Sequence, residues 1–156
     1  MNEPKEAGFA LDPHLAADTV FITDWRLSRL LLMDDARFPW LILVPRRADA
    51  TELDDLATDE QAELLREINR AMALLRELAP REKFNIGALG NIVRQLHVHV
   101  VARHESDTAW PGPVWGSGAA VRYRSTARDT LVERFRNPPV TAPEEPLCTV
   151  RRHSDD

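Results

Sequence analysis

The sequence predicts an α+β domain built around an antiparallel sheet. Three short β-branched or apolar runs precede one long amphipathic helix, and two more runs follow it. The first runs are Thr19 to Trp25 and Ser28 to Met33, separated by Arg26, and Trp40 to Val44, bounded by Pro39 and Pro45. Between the second and third lies Asp34-Asp35-Ala36-Arg37-Phe38-Pro39, a polar connection that suits a hairpin. Thr51 to Leu56 reads as a short helical turn.

The long helix spans Asp59 to Leu78. Leu64, Leu65, Ile68, Ala71, Met72, Leu75 and Leu78 recur at helical intervals, Thr58 and Gln61 have the spacing of a capping box, and Pro80 stops the run. Glu63, Arg66, Glu67, Arg70 and Glu77 on the other side read as a solvated face with helical ion pairs. Phe84 to Ala88 and Gln95 to Arg103 are the last two strands. The stretch from Trp110 to Gly118 is too rich in Pro and Gly for a regular element. It reads as a loop pinned by the buried indoles of Trp110 and Trp115, with closure over a nucleobase as the alternative. A final helix is expected from Ser125 to Phe135. Residues 1–136 are expected to form one domain and residues 137–156 an extended or loosely ordered tail.

With 156 residues, of which 44% are hydrophobic, the chain is long enough for one core of its own. A net charge of -5 gives no general basic field, so no stable nucleic-acid complex is expected, while a small nucleotide needs only a local patch. Cys148 is the single cysteine, which excludes an internal disulfide and a cysteine-rich zinc site. The N-terminal residues have neither the apolar core nor the cleavage site of a secretory signal, and no apolar run reaches the roughly 18 residues of a membrane span. A cytoplasmic protein with no membrane association is expected.

The chemistry is expected on the segment Gln95-Leu96-His97-Val98-His99-Val100-Val101. Side chains alternate along a strand, so Gln95, His97, His99 and Val101 project one way and Leu96, Val98 and Val100 the other. Two imidazoles on one face can meet the same phosphate or metal. A neutral imidazole is nucleophilic near neutral pH, and its neighbour can supply or accept a proton. Gly87 to Asn91 offers glycines that let backbone N–H groups approach an anion, plus the Asn91 amide. Arg94 and Arg103 bracket the strand as possible positive charge.

This segment resembles the signature of the histidine triad (HIT) family, three histidines alternating with apolar residues and followed by two further apolar positions. The likeness extends to the strand Leu41-Ile42-Leu43-Val44-Pro45, the long helix and the lead-in from Asn85 to Arg94, about Leu27 to Trp115 in all. It implies a HIT-like five-stranded antiparallel sheet with one long helix and shorter helices, and a homodimer. It implies a nucleotide hydrolase or nucleotidyl transferase acting at the α-phosphate of a dinucleoside polyphosphate, nucleoside phosphoramidate or related compound, without a cofactor. By the same resemblance His97 is the nucleophile, His99 contacts the scissile phosphate and bridging atom, and Asn91 touches the phosphate, with Gly90 and Asn85 beside it. Asp34 binds the ribose, with Asp35 in reserve. The chain departs from the pattern at Gln95, which replaces the first signature histidine, and at Trp40, which stands where a further active-site histidine is found. Ile92 replaces a common hydroxyl residue.

Those departures support a competing reading, a non-catalytic nucleotide sensor that keeps the phosphate cradle and has lost the chemistry. A metal site is a third reading, since H-x-H on a strand supplies two of the three ligands of a catalytic zinc, but no convincing third ligand appears in the sequence and no metal is expected. Trp40 is read as core, His104, His14 and His153 as surface residues, and Arg46 and Arg47 as a solvated turn.

Overall fold

The computed structural model describes residues 8–78 and 83–138. In chain order they form α1 (Pro13–Asp18), β1 (Thr19–Asp24), β2 (Ser28–Met33), β3 (Trp40–Pro45), a 3-10 turn (Leu53–Asp55), α2 (Thr58–Arg76), β4 (Lys83–Gly87), β5 (Val98–Arg103) and α3 (Ser125–Arg136). The five strands make one antiparallel sheet in the order β1-β2-β3-β5-β4, so β5 inserts between β3 and β4. The expected α+β architecture, with its five strands and one long helix, is observed.

Alternation along the central strands divides the apolar side chains between two clusters. Leu41 and Leu43 of β3 and Val98, Val100 and Ala102 of β5 pack with Leu64, Ala71, Leu74 and Leu75 of α2 and with Val132 and Phe135 of α3. Trp40, Ile42 and Val44 of β3 and Val101 of β5 face the other way, toward Leu15 of α1, Phe38 and Val114. Every residue of β3 and of β5 is buried, which places these strands between two layers.

Several elements differ from expectation. α1 was not foreseen, although Asp12 and Pro13 are an N-cap and first-turn pair: the Asp12 carboxylate accepts the His14 N–H at 2.8 Å. α2 is capped one residue earlier than the Thr58 and Gln61 spacing suggests. Ala57 is the N-cap, and its N–H is taken at 3.0 Å by the Glu60 carboxylate. β5 begins at Val98 rather than Gln95, so Gln95 and His97 precede its ladder. Leu65 is 59% exposed, because the buried stripe runs through Leu64, Glu67, Ala71, Leu74 and Leu75. Arg46 is buried too, donating to the Trp25 carbonyl at 2.7 Å instead of reaching water. The expected tail from residue 139 on, with Cys148 and His153, lies outside the described residues.

Glu67 departs furthest from the solvated face assigned to it. It is 3% exposed and accepts the backbone N–H groups of Leu27 at 2.8 Å and Ser28 at 3.1 Å, tying α2 to the β1–β2 connection. Hydrogen bonds to a charged group are worth about 1.5–3 kcal/mol, and truncation leaves two buried donors unmade. Glu67→Ala is therefore expected to lower unfolding stability in urea by about 2–3 kcal/mol. Arg66→Ala, beside it on the solvent face, should stay within about 0.5 kcal/mol.

Candidate functional site

β5 and the residues just before it present His97 and His99 to the layer opposite α2. Both imidazoles are 7% exposed, and their ring centroids lie 4.9 Å apart in an edge-to-face arrangement. They share a cavity of about 450 Å³. The loop from Leu89 to Val93, Val114 and Trp115, and His14 and Leu15 of α1 complete its walls. Leu96, Val98 and Val100 lie in the helix-side core, so the alternation seen in the sequence separates packed side chains from those facing the cavity.

The hydrogen bonds of the two rings fix opposite polarities. Nδ1 of His97 lies 2.7 Å from the Gln95 carbonyl oxygen. A carbonyl only accepts, so Nδ1 carries the proton and neutral His97 has its lone pair on Nε2. Nδ1 of His99 accepts the indole N–H of Trp40 at 3.0 Å. An indole only donates, so the proton of neutral His99 is on Nε2. The site thus pairs one basic nitrogen with one N–H donor.

Trp40 reaches His99 because β3 and β5 pair with Trp40 opposite Val101 and Ile42 opposite His99, which makes the two side chains diagonal neighbours on one face. The indole stands edge-on to the His99 ring at 5.5 Å, and Trp115 contacts the same imidazole at 5.5 Å. Gly87 is opposite His99 on β4, and a Cβ there would meet the Trp115 ring at 3.2 Å. Glycine at this position is what lets Trp115 lie over the imidazole. Burial, aided by the neighbouring His97, pushes the His99 pKa down to about 3.

Gly90 and Asn91 line the cavity, with Gly90 in the left-handed region at φ +66°. Gln95 does not. Its side chain accepts the Asp12 N–H at 2.9 Å and donates to the Ala10 carbonyl at 2.8 Å, so it fastens the segment before α1. Asp34 does not line the cavity; it accepts from Arg122 at 2.9 Å and from the Tyr123 N–H at 3.0 Å. Asp35 lines the cavity, with its carboxylate bonded to Arg37 and to the Val121 N–H. The Asn85 side-chain amide oxygen accepts from Arg103 at 2.7 Å.

Arg103 is not a charge offered to a ligand. It is 1% exposed, forked onto Asp107 at 2.7 and 3.0 Å and bonded to the Gly112 carbonyl at 2.9 Å, and it holds the Pro/Gly-rich loop. Arg94 lines an adjoining polar hollow with Thr51 and Glu52, which shares Leu89, Gly90 and Asn91 with the cavity of the two histidines. Neither indole is fully buried as expected: Trp110 is 38% exposed, and Trp115 is partly buried, with its N–H buried without a partner among the described residues. Sequence reasoning missed Trp40 as a partner of His99 and His14 as a cavity residue. The Asp12-Pro13 helix start was the available signal for the second.

The lowered pKa of His99 has a consequence for stability. The unfolded ring binds a proton below its ordinary pKa of 6.5, while the folded ring stays neutral until about pH 3. The unfolded state therefore gains stability as pH falls through that window, by up to about 1.4 kcal/mol per pH unit for one proton. Urea unfolding at pH 7 and pH 5 should show a loss in the wild type that is smaller in His99→Gln. An equal loss in both would remove His99 as its source.

Residues 15–106, which hold all five strands and both imidazoles, match the family model of the HIT domain. Over 105 residues the chain is 32% identical to the AP-4-A phosphorylase of Mycobacterium tuberculosis, covering 63% of this chain and 53% of that protein. The match thus spans about half of that relative's length. Among solved structures, a histidine triad protein from Sinorhizobium meliloti is 48% identical, with a TM-score of 0.80 over 83% of this chain and 96% of the other. One from Bradyrhizobium japonicum is 44% identical, with a TM-score of 0.79 over 82% and 96%. One from Marinobacter aquaeolei is 40% identical, with a TM-score of 0.74 over 83% and 94%.

Proposed function

The chain belongs to the HIT domain family, and from that premise we propose that it is a nucleotide hydrolase or nucleotidyl transferase in which His97 attacks an α-phosphate. The observation that carries this reading is the opposed polarity of the two rings in one cavity. Nε2 of His97 has a lone pair for phosphorus, and Nε2–H of His99 is a donor for a phosphate oxygen. A cavity of about 450 Å³ has room for a mononucleotide portion.

In the first step the bond from His97 Nε2 to phosphorus forms and the bond from phosphorus to the leaving oxygen breaks. The electron pair stays on that oxygen. The Gln95 carbonyl holds the Nδ1–H of His97 as the ring becomes cationic, which stabilises the nucleotidyl-histidine. In the second step water or another acceptor attacks phosphorus, its proton passes to solvent, and the electron pair of the broken P–N bond returns to Nε2. Gly90 and Asn91, at the cavity wall, are the proposed phosphate contacts. A ribose contact by Asp34 requires Arg122 to be displaced from it.

The relative named AP-4-A phosphorylase directs the first assay to diadenosine tetraphosphate. Incubation followed by an alkaline denaturing quench and peptide mass spectrometry is expected to find a nucleotidyl adduct on His97. His97→Ala should lose the adduct and at least about 1,000-fold in turnover, the scale on which removing a nucleophile acts. Unchanged turnover would reject His97.

Only two of the three signature positions reach the cavity, since the Gln95 side chain is committed to Asp12 and Ala10. That observation keeps a second reading, a nucleotide sensor without chemistry. Binding by calorimetry with no adduct would select it. A homodimer is part of the proposal as well: β4 is an edge strand with Ile86 47% exposed, and sedimentation is expected to give twice the chain mass.

A further inference from the structure

We propose that Trp40, by donating its indole N–H to Nδ1 of His99, holds His99 as a neutral Nε2–H donor and so restricts the site to substrates whose leaving group departs as an anion, phosphoanhydrides over phosphoramidates. This inference rests on the reading of His97 as nucleophile and narrows the substrates that reading admits.

An imidazole acts as a strong acid only when both nitrogens are protonated. The second proton of His99 would have to enter at Nδ1, where the lone pair already receives the Trp40 N–H at 3.0 Å. Indole nitrogen has no lone pair to offer in exchange, so protonation would set two N–H groups against each other. Trp40 has nowhere to turn. It is 4% exposed and wedged edge-on between Phe38 at 6.4 Å and Trp115 at 6.2 Å. Burial and the neighbouring His97 depress the basicity of His99 as well, independently of the Trp40 bond.

The two substrate classes make different demands. When a phosphoanhydride is cleaved, the His97–phosphorus bond forms, the phosphorus–oxygen bond breaks, and the pair remains on a phosphate oxygen that is stable as an anion. No proton has to move, and the His99 N–H need only hydrogen-bond to the departing oxygen. When a phosphoramidate is cleaved, the pair is left on nitrogen, and one proton must reach that nitrogen before or during cleavage. Neutral His99 would have to give up its only ring proton and become imidazolate. The competing proton source is His14 at the cavity mouth, whose side chain is 74% exposed and lies 3.2 Å from the Asp12 carboxylate.

Two measurements test the proposal. Nitrogen-15 NMR of the free protein should show His99 as the Nε2–H tautomer, and Trp40→Phe, which keeps an aromatic wedge without the donor, should release that tautomer. In parallel, kcat/KM for diadenosine tetraphosphate and adenosine 5′-phosphoramidate is compared. The wild type should favour the anhydride by about 100-fold or more, and Trp40→Phe should narrow that ratio at least about tenfold, within the range general acid catalysis supplies. A packing defect alone would lower both substrates together. An Nδ1–H tautomer in the wild type, or equal kcat/KM for the two compounds, overturns the proposal. Should Trp40→Phe not fold, the wild-type spectrum and ratio still decide. Turnover of neither compound with no adduct on His97 would instead sink the hydrolase reading and the leaving-group half of this inference, while the tautomer is read independently.

Discussion

A strand buried on both faces offers little solvation to a charge, and β5 is such a strand. Each polar group on it must be neutral or matched by the surrounding protein. Arg103 is matched by Asp107, Asn85 and the Gly112 carbonyl. His99 is held neutral by burial, aided by the neighbouring His97, and its Nδ1 is matched by the Trp40 N–H. The same burial that stabilises the sheet therefore sets the protonation state of the group facing the cavity. Position in the sheet and chemistry are one constraint here, and β3 serves both by burying Leu41 and Leu43 toward α2 while aiming Trp40 at the imidazole.

The second ring is handled differently because it sits just outside the ladder. His97 precedes the first paired residue of β5, so the backbone carbonyl of Gln95 is free to bend back and take its Nδ1–H. Had the strand begun at Gln95, that carbonyl would have belonged to the ladder. The short irregular lead-in is thus what gives His97 the opposite tautomer from His99, only two residues away in sequence.

Local patterns made the fold readable. The strands and the long helix follow from apolar periodicity, and β2 matches its expected range to the residue. The alternation that puts Val98 and Val100 on one side and His99 on the other was equally plain. What could not be read were partners supplied from far along the chain. Glu67 occupies a position that looks solvated on its own helix, and only the connection between β1 and β2 makes it a buried acceptor. Trp40 reads as core, and it is core; its bond to His99 depends on a register of two strands separated by more than fifty residues of sequence. Asp34, Gln95 and Arg103 are candidate site residues by type and position, yet each is bonded to a segment distant along the chain or in a loop, which local pattern gives no reason to bring there.

Gln95 links two parts of the molecule through separate atoms of one residue. Its side-chain amide grips the backbone at Ala10 and Asp12, and its carbonyl orients the ring of His97. Tension applied near Ala10 and Asp12, for instance by a bulky fusion, would reach the His97 imidazole through this single residue. The attachment point of a tag is for that reason a variable of how the His97 ring is held.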